Sequence, residues 1–326
     1  MYPRSATAIS CPNIAFIKYW GDQDSKLRLP ANGSISMNLT GLETRTHVLF
    51  DPALSRDELT INAHPVKGPG LHRVSLLLDR VRSLAGFAYF ARVESENNFP
   101  AGAGLASSAS AFAALSLAAS AAAGLQLTER ELSRLARMGS GSACRSVPGG
   151  FVEWQMGESD EDSFATSIAP PEHWRLVDCI AIVDRGHKRT GSSEGHRLAR
   201  SSPFHAARVA GVPALLNECR GAILNRDFDA LAHVSELDCH QMHAVMMTSS
   251  PPLYYWQPAT LAVMQAVRDG RKHGLPVCYT IDAGPNVHVL CPEDAQLQVV
   301  DHLKQVPGVI QVLAAGVGGP ARLEFR

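Results

Sequence analysis

The chain opens with a mostly apolar run, residues 8–17, that reads as one buried strand. Residues 35–39 and 44–50 carry strand-type content and alternation, with Gly41 between them as a turn signal. Apolar spacing predicts a helix over 74–84, and 87–94 returns to a strand pattern. An Ala-rich helical segment follows and stops near Gly124. Thr128, with Glu131 three residues on, forms a capping box for the next helix, whose buried stripe is Leu132, Leu135 and Ala136. Strands are expected near 150–155 and over 176–183. A charged stretch after Asp184 marks the entry into a second half. That half reads as helices over 205–224, 228–246 and 259–273, with a break at Pro251 and Pro252. Strands over 278–280 and 287–290 flank a tight turn. The mixture predicts an α/β (α+β) chain of two domains, residues 1–184 and 185–326.

Length and composition support that division. The 326 residues exceed what one small core accommodates, and 45% apolar content is ample for burial. Net charge is -1 with both signs mixed along the chain, which argues against a nucleic-acid or anionic-membrane partner. Residues 97–128 contain no charge and are long enough to span a bilayer. They are built of Ala, Ser and Gly with few Leu, so a tightly packed interior helix is expected instead. The N-terminus MYPRSATAIS has no apolar signal region, and the expected location is cytoplasmic. Seven scattered cysteines form no Cys-x-x-Cys pair, and His240 and His243 belong to no His-Glu-x-x-His motif. Neither a disulfide framework nor a protein-held metal is predicted.

Four clusters carry candidate chemistry. Pro100-Ala101-Gly102-Ala103-Gly104-Leu105-Ala106-Ser107-Ser108 runs into a helix. Its glycines permit close backbone approach, and free N–H groups with two hydroxyls suit a phosphate. It is no Walker A loop, since no Gly-Lys-Ser/Thr follows, and a glycine-rich packing turn is the plain alternative. Ser140-Gly141-Ser142 with Arg145 offers small residues and a planar cation suited to a carboxylate or phosphate; a solvated surface turn is its alternative. Lys18 ends an apolar strand that begins near Asn13, an expensive place for a charge without a counter-ion. Asp282 stands between a strand and a turn, where an aspartate is often only a turn former.

Together these segments resemble the mevalonate diphosphate decarboxylases of the GHMP kinase superfamily. NIAFIKYWG, NNFPAGAGLASSASAFAAL, RMGSGSACRSVPGGFVEW and YTIDAGPN stand in that family's order and approximate spacing, with a weaker match at GSSEGH. The resemblance covers essentially the whole chain. It implies an N-terminal domain like ribosomal protein S5 domain 2, a ferredoxin-like C-terminal domain and a homodimer. It implies ATP with Mg2+ and a phosphorylated mevalonate, whose 3-hydroxyl is phosphorylated before phosphate and CO2 depart. By that similarity Asp282 handles the hydroxyl proton, Arg145 holds the substrate carboxylate and Lys18 neutralises charge at the reacting centre. Asn13, Tyr19, Ser140, Gly141, Ser142 and Ser193 would bind substrate. Pro100, Gly102, Gly104, Leu105, Ala106, Ser107 and Ser108 would bind ATP.

The chain departs from the pattern at two positions. After Lys18-Tyr19-Trp20-Gly21 the family continues with a lysine that meets the substrate's diphosphate; here stands Asp22. Glu194 stands where some bacterial relatives carry an arginine. An aspartate near a polyanion is repulsive, so mevalonate 5-phosphate is the expected substrate. Mevalonate 5-diphosphate is the alternative if Asp22 faces solvent and Lys188, Arg189 or Arg197 supplies the charge. A kinase that stops at the 3-phosphate and a non-catalytic sensor are the remaining readings.

Overall fold

The computed structural model describes residues 4–99, 107–186 and 191–325. The opening apolar run is two strands rather than one: β1 (Arg4–Ser10) and β2 (Asn13–Ile17), which belong to different sheets. Pro12 between them has no N–H to give a ladder, and its carbonyl accepts from Leu39 instead. Next come β3 (Asp22–Asp24), β4 (Leu29–Pro30), β5 (Ser34–Asn38), β6 (Thr44–Asp51), β7 (Glu58–Ile61) and β8 (His64–Pro65). Helix α1 (Pro69–Ala85) leads to β9 (Phe90–Asn97), α2 (Ser107–Ala122) and α3 (Glu129–Gly139). Strands β10 (Phe151–Trp154), β11 (Ala165–Ala169) and β12 (Leu176–Ile182) follow. The remaining helices are α4 (Ser192–Leu198), α5 (His205–Asn225), α6 (Phe228–Met247), α7 (Pro258–Lys272) and α8 (Gln296–Lys304). Strands β13 (Cys278–Thr280), β14 (Val287–Pro292), β15 (Gln311–Gly316) and β16 (Arg322–Glu324) complete the α/β chain.

The first sheet runs β16-β1-β6-β9-β7-β8, the second β11-β10-β5-β2 and the third β13-β14-β12-β15. Strands β6 and β9 alternate buried and open positions and pair from Thr44 with Asn97 to Asp51 with Phe90. Strands β2, β5 and β12 are buried at every position, as strands covered on both faces must be. The uncharged segment after β9 enters the interior: α2 buries most of its Ala and Ser positions, and its small side chains permit close packing on β1 and β6. Among the described residues, no helix is long and apolar enough to cross a membrane. The Thr128–Glu131 capping box forms as the sequence predicts. Strand β16 returns from the C-terminal end to pair with β1, tying the two ends of the chain together.

Candidate active site

Strand β2 delivers Lys18 into the interior, and the turn after β13 delivers Asp282. Lys18 Nζ donates to Asp282 Oδ1 at 2.6 Å; the Lys18 side chain is 2% exposed and that of Asp282 29%. Burial alone would raise the Asp282 pKa, but Lys18, His288 and Arg145 together hold it below the usual carboxylate range.

The Lys18 backbone is clamped. Its N–H donates to Asp238 Oδ2 at 2.7 Å, and its carbonyl accepts from Arg208 and from Asn32, both at 2.9 Å. Arg208 in α5 also donates to Asp238 Oδ1 in α6 at 2.8 Å, and to Asn32 Oδ1. Five residues beyond Asp238 in the same helix, His243 Nε2 lies 3.2 Å from the carbonyl of Ile281, the residue before Asp282. Helix α6 thus grips the backbone on both sides of the Lys18–Asp282 contact.

Arg145 is 3% exposed and hydrogen-bonds only neutral groups among the described residues: Ser36 Oγ, Ser34 Oγ and Asn13 Oδ1. Burial lowers its pKa, and Asp282 is among the anionic groups that oppose the shift. A buried guanidinium with neutral partners is poised for an anion. Asn13 stands behind it, spending its amide on the Ser142 carbonyl and Ser146 Oγ, and does not itself line the cleft.

Lys18, Asp282 and Arg145 open onto a cleft of about 550 Å³, joined by Tyr19, Ser140, Gly141 and Ser142. Helix α4 contributes Ser193, Glu194 and Arg197, and α2 contributes Ser107 and Ser108. Ser108 Oγ and Ser140 Oγ lie 3.2 Å apart. Pro100, Gly102, Gly104, Leu105 and Ala106 lie outside the described residues, as do Lys188 and Arg189. A second cavity of about 220 Å³ shares Arg73, Ser107 and Ser108 with the cleft and is otherwise walled largely by apolar side chains such as Leu59, Val93 and Phe112. Among the described residues no three His, Cys, Asp or Glu side chains group to hold a metal.

Asp22 is half-buried and stands behind a residue of the cleft lining rather than in it: its carboxylate accepts the hydroxyl of Tyr19. The Tyr19 ring stacks on His196 at 4.0 Å and meets the Trp154 edge at 4.7 Å. Sequence reasoning missed two arginines that line the cleft, Arg28 and Arg73. It also missed the Arg208–Asp238 clamp and His243. Arg28 sits between apolar Leu27 and Leu29, which was a readable signal; the clamp joins residues 220 apart in sequence and left none.

Residues 10–165 match the diphosphomevalonate decarboxylase-like N-terminal domain, and 179–316 the mevalonate 5-diphosphate decarboxylase C-terminal domain. A phosphomevalonate decarboxylase of Haloferax volcanii is 36% identical over 322 residues, covering 98% of this chain and 97% of the relative. The chain belongs to the mevalonate diphosphate decarboxylase family. The crystal structure of the Staphylococcus aureus family member superposes with a TM-score of 0.95 at 37% identity, covering 99% of both chains. A second solved structure, described as MDDEF in complex with MVAPP, AMPPCP and magnesium, gives a TM-score of 0.94 at 37% identity and covers both chains fully. The two-domain α/β architecture is that of this family of decarboxylases, and the chain is an enzyme of the carboxy-lyase class.

Proposed function

We propose that this enzyme uses ATP to decarboxylate mevalonate 5-phosphate, giving isopentenyl phosphate, ADP, phosphate and CO2. The observation that supports the choice of substrate is Asp22, a carboxylate in place of the family's cation, which accepts the hydroxyl of the cleft-lining Tyr19. A diphosphate would bring a further negative charge toward it.

In this reading the substrate carboxylate meets Arg145, whose neutral partners leave its charge uncompensated. Asp282 Oδ2 accepts a hydrogen bond from the 3-hydroxyl and takes its proton as the γ-phosphoryl group is transferred. Lys18, fixed on Oδ1, keeps Asp282 ionised and stabilises charge on the transferred group. The tertiary phosphate then leaves, positive character grows at C3, and the C–C electron pair of the departing carboxylate becomes the double bond. Asp282 lies where that cationic character is stabilised. Ser140 and Ser142 orient the substrate.

ATP fits the junction of the two cavities, its base against the apolar wall of the smaller one and its phosphates toward Ser107 and Ser108. The cleft's carboxylates do not make a metal cage, so Mg2+ would be held chiefly by nucleotide oxygens with the serine hydroxyls, supplying charge neutralisation there. The solved relative in complex with AMPPCP and magnesium supports ATP and Mg2+ as the cofactors.

A diphosphate substrate is the second reading, favoured by the three arginines Arg28, Arg73 and Arg197 on the cleft. The test is ATP-dependent release of CO2 and ADP from mevalonate, its 5-phosphate and its 5-diphosphate, side by side. The proposal expects the highest kcat/KM with the 5-phosphate; a higher value with the 5-diphosphate overturns it. ADP without CO2 would make the protein a kinase, and binding without turnover a sensor.

A further inference from the structure

Lys18, Asp282 and Arg145 account for one pole of the cleft, and its other positive charges have no assigned work. Arg28 and Arg73 reach the cleft from separate elements, the turn before β4 and helix α1, yet both anchor at the end of α3. Arg28 Nε donates to the Met138 carbonyl and Arg73 Nη2 to the Gly139 carbonyl, both at 2.9 Å. Consecutive carbonyls therefore hold the two guanidinium groups as neighbours, and the remaining N–H groups of Arg28 have no partner among the described residues. Neither forms an ion pair with a carboxylate among the described residues. Arg73 Nε is buried with no partner, and its guanidinium lies 4.9 Å from the centre of the Phe112 ring.

Two cations side by side without a direct ion pair repel unless an anion joins them. Their proximity is felt: burial first, then Arg28, pulls the Arg73 pKa down to about 10. Arg28 also acts on Tyr19 and Asp22, whereas Lys18, His288 and Arg145 act on Asp282. The cleft therefore has two cationic poles. Arg28 itself has a left-handed backbone, φ 50°, a conformation unfavourable for a side chain of its size and held by the β3–β4 hairpin.

We propose that Arg28 is a specificity-determining residue which, beside Arg73, clips a single phosphate at the outer pole of the cleft, with the Tyr19–Asp22 pair as the wall that excludes a second. Two guanidinium groups match the charge of one phosphate dianion. A diphosphate adds negative charge beyond the clip, toward the Tyr19 ring and the Asp22 carboxylate behind it. The wall rests on the monophosphate reading above; the clip does not.

The test measures steady-state kinetics of the full-length enzyme with ATP and each phosphorylated mevalonate. Arg28→Gln is expected to raise KM for the preferred phosphorylated substrate at least tenfold, the size of one lost charge-assisted hydrogen bond. KM for ATP stays within twofold, and Arg28→Lys recovers part of the loss. Calorimetric binding of mevalonate 5-phosphate without ATP should weaken in parallel, with circular dichroism reporting an unchanged fold. Unchanged KM for substrate, or a rise in KM for ATP instead, overturns the clip. Asp22→Asn is expected to raise the diphosphate-to-monophosphate ratio of kcat/KM at least fivefold; an unchanged ratio overturns the wall. If the wild-type enzyme prefers the diphosphate, the monophosphate reading and the wall fall together, while a selective Arg28→Gln effect still sustains the clip.

Discussion

Asp238→Asn probes how the fold sets up its chemistry. Asp238 is fully buried, and its two carboxylate oxygens take separate donors: Lys18 N–H at 2.7 Å and Arg208 at 2.8 Å. An asparagine presents oxygen to only one of them and turns an NH2 group toward the other. It also leaves the Arg208 guanidinium, 2% exposed, without its counter-charge. Breaking a buried pair in this way costs about 3–5 kcal/mol. For domains of this size each kcal/mol moves the midpoint by roughly 2–4 °C, so Tm should fall by roughly 6–20 °C.

The activity should fall separately from stability. Lys18 loses the N–H anchor that fixes where its ammonium meets Asp282, and a misplacement of about 1 Å can cost on the order of 100-fold. Assayed well below its Tm, the variant should lose about 10–100-fold in kcat with KM for ATP within twofold. A double variant, Arg208→Met with Asp238→Leu, sharpens the test, since apolar replacement of a buried pair is often neutral for stability. It should recover most of the Tm and little of the kcat, because the Lys18 N–H still lacks its acceptor. If Asp238→Asn keeps Tm within about 2 °C and kcat within twofold, or if the double variant recovers both, the clamp does not position Lys18.

Asp282→Asn should fold and bind ATP while losing at least about 1,000-fold in CO2 release, measured by trapping the gas; a near-normal rate would end the proton-transfer role. Because the Asp282 pKa is held below its ordinary value of about 3.9, its titration should leave the rate flat from pH 5 to 8, and its share of stability, present above that value, should be lost only as pH falls further. His243 has the same sign over a higher pH range: burial pushes its pKa down to about 3, near Lys18 and His240 and despite Asp282, so the unfolded chain takes up the proton first. Stability should therefore decline by about 1.4 kcal/mol per pH unit below pH 6.5, about 2 kcal/mol by pH 5, and His243→Gln should flatten that slope in urea titrations. Gly141→Ala would set a Cβ 2.6 Å from the Tyr19 ring, which His196 and Trp154 hold in place; KM for the mevalonate substrate should rise severalfold, and an unchanged KM would remove Tyr19 from the site.

Much of this was readable along the chain because its signals are local. The capping box needs only Thr128 and Glu131, and the alternation of β6 follows from one face meeting the core. Lys18, Arg145 and Asp282 were each ambiguous alone, and only their joint occurrence with family motifs separated them from a turn former or a solvated cation. What escaped was relational. Whether 8–17 is one strand or two depends on which sheets its halves join, and the single residue Pro12 decides it. The direction of Asp22 depends on Tyr19, and the placement of Arg28 depends on a carbonyl 110 residues away.

The placement of those cations is what would let the cleft discriminate between substrates in the proposed function. Arg145 and Lys18 are almost completely buried, where a charge is expensive unless its partners are fixed, and both are held by bonds to several elements. Such groups cannot follow a substrate that sits differently; in the proposed function they define where its carboxylate and 3-hydroxyl lie. Arg28 and Arg73 are half-buried and each tied to one carbonyl, so the outer pole has the freer side chains. A ligand whose reacting end is fixed at the inner pole presents its phosphate at a set depth, and the charge found there decides how many phosphates fit. Tyr19 borders both regions, with its ring against His196 and its hydroxyl on Asp22. Substitutions at Asp22 should consequently change which substrate is chosen before they change the chemistry, whereas substitutions at Asp238 or Asp282 should lower turnover of every substrate alike.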